Sequence, residues 1–371
     1  MIPALSPRDA MRHARLEIPD PVVNIIHFCS ISGGADSLAT ALLARERAER
    51  TGMDLRLINA DLGANEHQIT HDYIGYLEQA LGLPILRVRA NFDAEFAVRR
   101  EMIQQHWSVE KRRKEHSKDC KARRELMKPK EWRALCDCPM RISPPVPQEV
   151  IDRAKELLVP TGEPFLDLCM LKGRFPSRTA QFCTERLKLE PINAITHPIL
   201  EAGGHVISWI GEMAEESKRR AEKKPLERIR WVGGGQLILY RPIHGWTKAD
   251  NFALAKRHGI KPNALYQMGM GRVGCFCINQ GKDEIAQWDK RFPEVIDRIR
   301  AWELIVALVS RRQAATFFAP MIGSIPNSID AVIEWTRTTH GGKQFDLLQA
   351  LSRAEAEEVG LMCESAYGLC E

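Results

Sequence analysis

The chain has 371 residues, of which 44% are hydrophobic and 27% charged, and its formal net charge is +5 at neutral pH. This length suits one large α/β domain with additions, or two domains, with a substantial core. No run approaches the roughly 18 to 20 apolar residues of a membrane span, so no membrane partner is expected. The N-terminal segment has no apolar region of secretory type, and we expect the protein in the cytoplasm.

The first hundred residues alternate strands with helices. Residues 22–29 form a continuous apolar run, typical of a strand buried in a parallel sheet. Residues 37–50 have the apolar spacing of a helix, with Asp36 or Ser37 available as its cap. The next predicted elements are a strand at 54–60, a helix at 66–82 and a strand at 84–90. The pattern predicts an open, mostly parallel twisted sheet with flanking helices and right-handed crossovers.

This alternation stops near residue 100 and later resumes. Residues 111–133 contain 11 Lys or Arg against 4 Asp or Glu. We predict a basic, helical insertion that either guides a nucleic acid or is a solvated helical face. Strands are expected again at 205–212 and 237–243. The predicted parts are the first half of the α/β domain (1–104), the insertion (105–150), the second half of the domain (151–290) and a helical C-terminal region (291–371).

Six residues, Ser-Gly-Gly-Ala-Asp-Ser, join the first predicted strand to the first helix. Two adjacent glycines permit backbone conformations closed to other residues and let a phosphate approach the amides. Successive N–H groups and the positive end of the helix dipole then favour an anion. Such folds bind ligands at the carboxyl ends of parallel strands. The residues predicted to contact phosphate here are Ser30, Ser32, Gly33, Gly34, Asp36 and Ser37.

Two better-known phosphate motifs are missing from this turn. No G-x-x-x-x-G-K-[ST] is present, which excludes a P-loop kinase or GTPase, and no G-x-G-x-x-G follows the first strand. Asp36 is available either to cap the helix or to help hold Mg²⁺. A tight strand-to-helix turn with no ligand is the alternative interpretation.

The turn resembles the S-G-G-x-D-S motif of the PP-loop family, the adenine-nucleotide α-hydrolases also called N-type ATP pyrophosphatases. The resemblance implies a Rossmann-like sheet whose loop holds the pyrophosphate of ATP while the α-phosphate is attacked. Many members have Lys at the variable place, whereas this chain has Ala35. The loop therefore lacks one cation that those members have.

Four further segments resemble the phosphoadenosine phosphosulfate (PAPS) reductase-like branch of that family. They are residues 58–66, 161–192, 211–222 and 241–284. The resemblance implies ATP or PAPS, with Mg²⁺, as the nucleotide. It makes Asp36, Asp61, Lys172 and Arg174 the catalytic candidates. The resemblance also implies six further residues that contact the nucleotide, namely Arg178, Lys188, Gly211, Glu216, Ser217 and Arg220. A surface ion pair is the alternative for Arg174 and Arg178.

The chain has ten cysteines, which in a reducing compartment are more often metal ligands, redox thiols or core residues than disulfides. Sulfur-handling members of the branch often carry a four-cysteine [4Fe–4S] cluster, so the resemblance implies one here. The cysteines inside the matching motifs are Cys169, Cys183, Cys275 and Cys277. Relatives usually have two residues between the last pair, whereas this chain has one, and structural thiols are the alternative.

A second group of cysteines lies in the basic insertion. Cys120, Cys136 and Cys138 are accompanied by His116, one helical turn before Cys120. Zinc accepts a set of three cysteines and one histidine, although the C-x₁₅-C-x-C spacing fits no common zinc module. In the alternative interpretation, one of these three cysteines takes the place of Cys277 as an iron ligand.

Three functions remain open at this point. The leading one is an ATP- and Mg²⁺-using enzyme that adenylylates an acceptor for sulfur insertion or a related modification, with a sulfur donor or reductant protein as partner. The second is a PAPS reductase with an altered thiol donor, because the tail Cys363–Cys370 resembles the thioredoxin-dependent reductase ending only weakly. The third is a non-catalytic nucleotide-binding accessory protein of a mobile-element or CRISPR-type system.

Overall fold

The structure is a computed structural model and describes residues 25–177, 180–232, 234–318 and 328–338. The strands are β1 (Ile25–Ser30), β2 (Asp54–Asp61), β3 (Ile85–Arg89), β4 (Lys111–Lys114), β5 (Met140–Ser143), β6 (His205–Trp209), β7 (Leu226–Val232) and β8 (Gly235–Tyr240). The first seven helices are α1 (Ala35–Thr51), α2 (Gln68–Leu81), α3 (Asp93–Trp107), α4 (Lys118–Leu126), α5 (Pro129–Leu135), α6 (Gln148–Leu157) and α7 (Pro164–Lys172). The remaining helices are α8 (Glu190–Glu201), α9 (Lys218–Ala221), α10 (Lys248–Arg257), α11 (Lys282–Arg291), α12 (Pro293–Leu308) and α13 (Ile329–Thr336).

Within the described part of the chain, six strands form one sheet in the order β3-β2-β1-β6-β8-β7. All neighbours are parallel except β7, which runs antiparallel to β8. The prediction of a mostly parallel sheet with flanking helices is confirmed. The order reverses at β1, which pairs with β2 on one side and β6 on the other. This reversal opens a crevice at the carboxyl ends of β1 and β6, where such sheets bind ligands.

The sheet is covered on both faces. Buried side chains of α1, among them Leu38 and Leu42, pack with Leu57 of β2 and Ile207 of β6 on one face. On the other face Phe28 and Val206 pack against Leu200 of α8. Burial on both faces explains why β1 is a continuous apolar run rather than an alternating one.

A separate and larger apolar cluster joins the helices outside the sheet. It contains buried residues from α3, α6, α7, α11, α12 and α13. Phe165 of α7 lies at its centre, with ring centroids 5.7 Å from Trp302 and 5.6 Å from Phe317. The helical character predicted beyond residue 290 is therefore present in α12 and α13. Among the described residues no helix has the length and apolarity needed to cross a membrane.

The insertion is only partly helical. The strands β4 and β5 pair antiparallel, with Lys111 opposite Ser143, and they enclose α4 and α5. The predicted helical character is present in α4 and α5, whereas the two strands were not predicted, because Lys-Arg-Arg-Lys has no apolar alternation that would reveal a strand. Pairing of β4 with β5 rests on backbone hydrogen bonds, which sequence periodicity does not report.

Candidate functional site

The turn between β1 and α1 is held by its own serines. Ser37 Oγ accepts a hydrogen bond from the Ser32 N–H at 3.1 Å and donates to the Gly34 carbonyl at 2.9 Å. Gly33 has φ +73°, and a Cβ added there would lie 2.8 Å from Thr70 Cγ2. Both the left-handed backbone and the lack of space require glycine at this position. The first N–H groups of the 17-residue α1 follow directly, and such groups have no partner inside their own helix.

Asp36 does not cap α1, and neither does Ser37. The N-cap is Gly34, with an extended backbone and no side-chain cap. The Asp36 carboxylate instead accepts hydrogen bonds from Lys248 Nζ at 2.7 and 2.8 Å and from Asn251 Nδ2 at 2.7 Å. The predicted capping role was therefore wrong, because α10 supplies stronger donors for this carboxylate.

Residues far along the chain complete the turn. Tyr266 Oη accepts a hydrogen bond from the Ala35 N–H at 3.0 Å, across 231 residues of sequence. Asn263 Nδ2 donates to the Gly33 carbonyl at 3.4 Å. Sequence reasoning missed these contacts. Both residues belong to the segment Asn-Ala-Leu-Tyr at 263–266.

The glycine before Cys275 lies against the same turn. A Cβ added to Gly274 would be 3.7 Å from the Ser32 carbonyl oxygen and 4.0 Å from Glu66 Oε1. Cys275 then pairs with Glu66 as an isolated β-bridge. The chain geometry therefore brings a cysteine pair next to the predicted phosphate site.

Three partly buried thiols, Cys183, Cys275 and Cys277, interact electrostatically with Lys188. Interaction with the Cys275 thiol is the main cause that lowers the pKa of Cys277 to about 6. The Asn279 N–H and the charge of Lys188 act in the same direction. The pKa of Lys188 is raised, chiefly by Cys275. The arrangement provides a thiolate at neutral pH beside a lysine cation.

An acidic group lies between the turn and these thiols. It consists of Asp61, Glu66 and His71. Each offers one atom that could bind a metal, and these three atoms lie within 4.8 Å of one another. Glu66 is buried, and its Oε2 has no hydrogen-bond partner among the described residues. Burial, followed by the proximity of Cys275, raises the pKa of Glu66 to about 7. Asp61 accepts a hydrogen bond from the Gly63 N–H at 2.8 Å. An orphaned carboxylate oxygen beside a second carboxylate fits a hard divalent cation such as Mg²⁺.

A family model, the phosphoadenosine phosphosulfate reductase domain, matches residues 26–280. The chain belongs to this family. The resemblance identified from the sequence motifs is confirmed, since the matched residues run from β1 to beyond the cysteine pair.

Two relatives of this PAPS reductase family member are described as uncharacterised proteins. The chain is 40% identical over 362 residues to an uncharacterised 37.8 kDa protein encoded in the gpa 5′ region of Escherichia phage 186, covering 93% of this chain and 97% of that one. It is 29% identical over 146 residues to an uncharacterised protein of Methanocaldococcus jannaschii, covering 39% of this chain and 29% of that one.

Two solved structures are weakly similar. A PAPS reductase from Candida auris in a phosphate complex has a TM-score of 0.35 and 13% identity, covering 73% of this chain and 89% of that one. An NAD⁺ synthetase from Burkholderia pseudomallei has a TM-score of 0.30 and 14% identity, covering 95% and 83%. These similarities add nothing to the family assignment.

The four cysteines predicted to bind a [4Fe–4S] cluster lie close together in the structure. Cys169 is fully buried in α7 and interacts electrostatically with Cys183, so all four thiols lie in one neighbourhood. Cys275 and Cys277 have one residue between them, whereas relatives usually have two between the last pair. The cluster therefore stays a prediction, with structural thiols as its alternative.

The basic residues predicted from the central segment divide into two sets. Lys188 lies among the thiols, in a π-helical turn over Thr184–Leu189 that continues into α8. Lys172 and Arg174 are exposed, and the Arg174 guanidinium lies 5.7 Å from the centre of the Phe182 ring. Arg178 lies outside the described residues.

The segment after β6 packs against the phosphate turn. A Cβ added to Gly211 would be 2.7 Å from the Asp36 carbonyl oxygen, so this glycine permits a close approach of two backbones. Glu216 forms an ion pair with Arg220, and Ser217 caps α9 by accepting from the Arg220 N–H. The last three residues named therefore bond mainly to one another. The nucleotide contacts predicted for them stay predictions.

The second cysteine group gathers in the insertion. It consists of His116, Cys120, Cys136 and Cys138. Each offers one atom that could bind a metal, and these four atoms lie within 4.8 Å of one another. Cys120 and Cys136 are buried, and the other two residues are partly buried.

Proposed function

We propose that the chain is an adenine-nucleotide enzyme that activates an acceptor by adenylylation and passes it to sulfur chemistry. The observation that carries this proposal is the packing of Gly274 against Ser32. It supports a nucleotide bound at the turn with the Cys275–Cys277 pair beside its phosphates. Backbone amides of the turn and of α1 would hold the anionic end of ATP.

The proposed first step is attack of an acceptor oxygen on the α-phosphorus of ATP. The bond from that phosphorus to the bridging oxygen breaks, pyrophosphate leaves, and an acceptor adenylate forms. Asp61 and Glu66 would hold Mg²⁺, which would supply positive charge against the phosphates. Both carboxylates belong to the acidic group that borders the turn.

The proposed second step uses the cysteine pair. A donor protein persulfide passes its outer sulfur to Cys277, whose low pKa suits it as a nucleophile. The Cys277 persulfide displaces AMP from the acceptor. Cys275 then attacks the Cys277 sulfur, releases the acceptor thiolate and forms a Cys275–Cys277 disulfide. A dithiol reductant restores both thiols.

A nucleic acid is the acceptor class that the insertion favours. Of the 11 Lys or Arg at 111–133, all but Lys114 are exposed. An excess of exposed positive charge of this kind attracts a phosphate backbone.

PAPS reduction is the second candidate, and the lowered pKa of Cys277 supports it as well, because this reaction needs a thiolate nucleophile. The Cys277 thiolate would attack the sulfate sulfur of PAPS and release adenosine 3′,5′-bisphosphate. Attack by Cys275 would then release sulfite and leave a disulfide, which a dithiol reduces. This route needs no C-terminal thiol; Cys363 and Cys370 lie outside the described residues.

Product analysis separates these candidates. The purified chain is incubated with γ-³²P-labelled ATP and bulk tRNA or plasmid DNA, and separately with PAPS and dithiothreitol. We expect labelled pyrophosphate in the first reaction and no sulfite in the second. Sulfite from PAPS would replace the proposal by the second candidate. Tight nucleotide binding with neither product would instead indicate the non-catalytic accessory protein.

The Cys275→Ser/Cys277→Ser variant provides the internal control. It should release pyrophosphate at the wild-type rate while forming no sulfur-containing acceptor. Loss of pyrophosphate release in this variant would contradict the separation of the two steps.

A further inference from the structure

The basic insertion has almost no apolar core. Within residues 111–143, all of which the structure describes, only Cys120 and Cys136 are buried. Its exposed large apolar side chains are Leu126, with an exposed fraction of 86%, Leu135, Met140 and Ile142, while Met127 and Trp132 are partly buried. A segment of this size that buries so little apolar surface is not held by hydrophobic packing, and such folds usually need a disulfide or a metal.

The polar atoms at the centre of the insertion have the spacing of ligands around one ion. His116 Nδ1 lies 3.5 Å from Cys120 Sγ and 3.3 Å from Cys136 Sγ, and the two sulfurs are 3.6 Å apart. A tetrahedral zinc with Zn–S of about 2.3 Å and Zn–N of about 2.0 Å separates two sulfurs by about 3.8 Å and a sulfur from a nitrogen by about 3.5 Å. The distances between these ligand atoms match a single tetrahedral ion closely.

We propose that His116, Cys120, Cys136 and Cys138 bind one structural Zn²⁺. Three thiolates and one imidazole form a complete tetrahedral set, so no position remains open for substrate. A four-ligand thiolate and imidazole set of this geometry is typical of zinc. The spacing along the chain matches no common zinc module, which is why sequence alone argued against this assignment.

The four ligands come from every piece of the insertion. His116 follows β4, Cys120 lies in the first turn of α4, Cys136 follows α5, and Cys138 precedes β5. One ion would therefore tie both helices to the hairpin. This is the role that an apolar core plays in larger folds.

Contacts around the ligands orient them. Trp132 Nε1 donates to the Cys120 carbonyl at 2.8 Å, and Lys114 Nζ donates to the Cys136 carbonyl at 2.5 Å. Ser117 caps α4 by accepting from the Cys120 N–H at 3.1 Å. Hydrogen bonds of this kind fix the ligand-bearing backbone in place, as in known metal sites. The proposal rests on the insertion alone and does not depend on the proposed nucleotide chemistry.

Metal analysis of the full chain tests the site. We expect about one zinc ion per chain after purification without added chelator. The Cys120→Ser/Cys136→Ser variant should lose it, whereas the matched Cys183→Ser/Cys275→Ser variant, from the other thiol group, should retain it. Iron in place of zinc, zinc that persists in the first variant, or a folded wild-type chain without zinc would each overturn the proposal.

A second measurement on the wild-type chain covers the case in which the variant does not fold. A chelator should increase trypsin cleavage within 111–143 several-fold without increasing cleavage elsewhere, and added Zn²⁺ should reverse the effect. Co²⁺ bound in place of zinc should give the visible bands of a tetrahedral site and a thiolate charge-transfer band. Cleavage that is unchanged by chelator would contradict a structural ion.

Discussion

Cys277 is the side chain on which the proposed sulfur step depends. Its pKa is lowered by interaction with the Cys275 thiol, by the backbone of Asn279 and by the charges of Lys188 and Arg272. All four stabilise the thiolate, while partial burial opposes them. An ordinary thiol has a pKa of about 8.5, so few such groups ionise at neutral pH.

We therefore predict that alkylation of Cys277 by iodoacetamide has its midpoint near pH 6, the pKa that the structure assigns to this thiol. At pH 7 about 90% of it should be thiolate. Mass spectrometry of the Cys277 peptide gives the rate at each pH.

Two variants of neighbouring residues show which contact is responsible. Cys275→Ala removes the interaction that lowers this pKa most and should raise the midpoint most. Lys188→Met removes one positive charge and should raise it less. A wild-type midpoint near 8.5, or no response to Cys275→Ala, would show that the pair is not arranged for thiolate chemistry.

At the scale of elements, α1 and α10 meet through an ion pair between Asp36 and Lys248. Only 18% of the Asp36 side chain and 19% of the Lys248 side chain are exposed, and the two groups are 2.7 Å apart. Partial burial reduces screening by solvent, so this pair should stabilise more than an exposed one.

A double-mutant cycle with Asp36→Asn and Lys248→Met should give a coupling energy of about 1–2 kcal/mol in urea unfolding. The matched control is the exposed pair of Asp54 and Arg56, 2.8 Å apart, with 44% and 50% of the side chains exposed. A double-mutant cycle on this exposed pair should give a coupling energy of about 0.5 kcal/mol or less. Equal coupling in the two pairs would contradict the role of Asp36 in joining these helices.

The elements of the sheet were predictable where they depend on local pattern. The apolar run of β1 and the double glycine that follows it identified the turn, and β2, α2 and β3 begin or end within two residues of the predicted bounds. β7 was not predicted, because it is an edge strand with a bulge between Arg228 and Arg230.

The partners of the turn were not predictable from local pattern. Tyr266 and Lys248 reach it across more than 200 residues, and their contacts exist only once α10 and the following loop pack on α1. The four proposed zinc ligands were named from the sequence, but local pattern did not establish that they meet. Their spacing is set by the lengths of α4 and α5, and a hydrogen-bonded hairpin rather than a known module closes the group.

For the whole molecule, the insertion predicts salt-dependent binding of nucleic acid. Each phosphate neutralised contributes about 0.9 to the slope of log K against log salt on duplex DNA. Lys121→Ala/Arg123→Ala removes two exposed positive charges and should lower that slope by about 2, as measured by fluorescence anisotropy between low and physiological salt.

The control variant removes two arginines that are already paired. Arg300 is bound by Asp330, and Arg337 by Asp289 and Glu334, in the C-terminal helical region. Arg300→Ala/Arg337→Ala should leave the slope unchanged. An equal loss in both variants, or a salt-independent affinity, would show that the insertion is only a solvated surface.

Nucleotide binding at the turn is the claim on which the proposed chemistry rests, and calorimetric titration of ATP and PAPS into Gly33→Ala and Gly82→Ala tests it most directly. Both glycines have positive φ, +73° and +65°, so both substitutions strain the backbone, but only Gly33 lies in the turn, and a Cβ on Gly82 meets open space. Gly33→Ala should weaken the better-bound nucleotide by at least about tenfold, and Gly82→Ala should bind it as the wild type does. Wild-type affinity in Gly33→Ala would contradict the account.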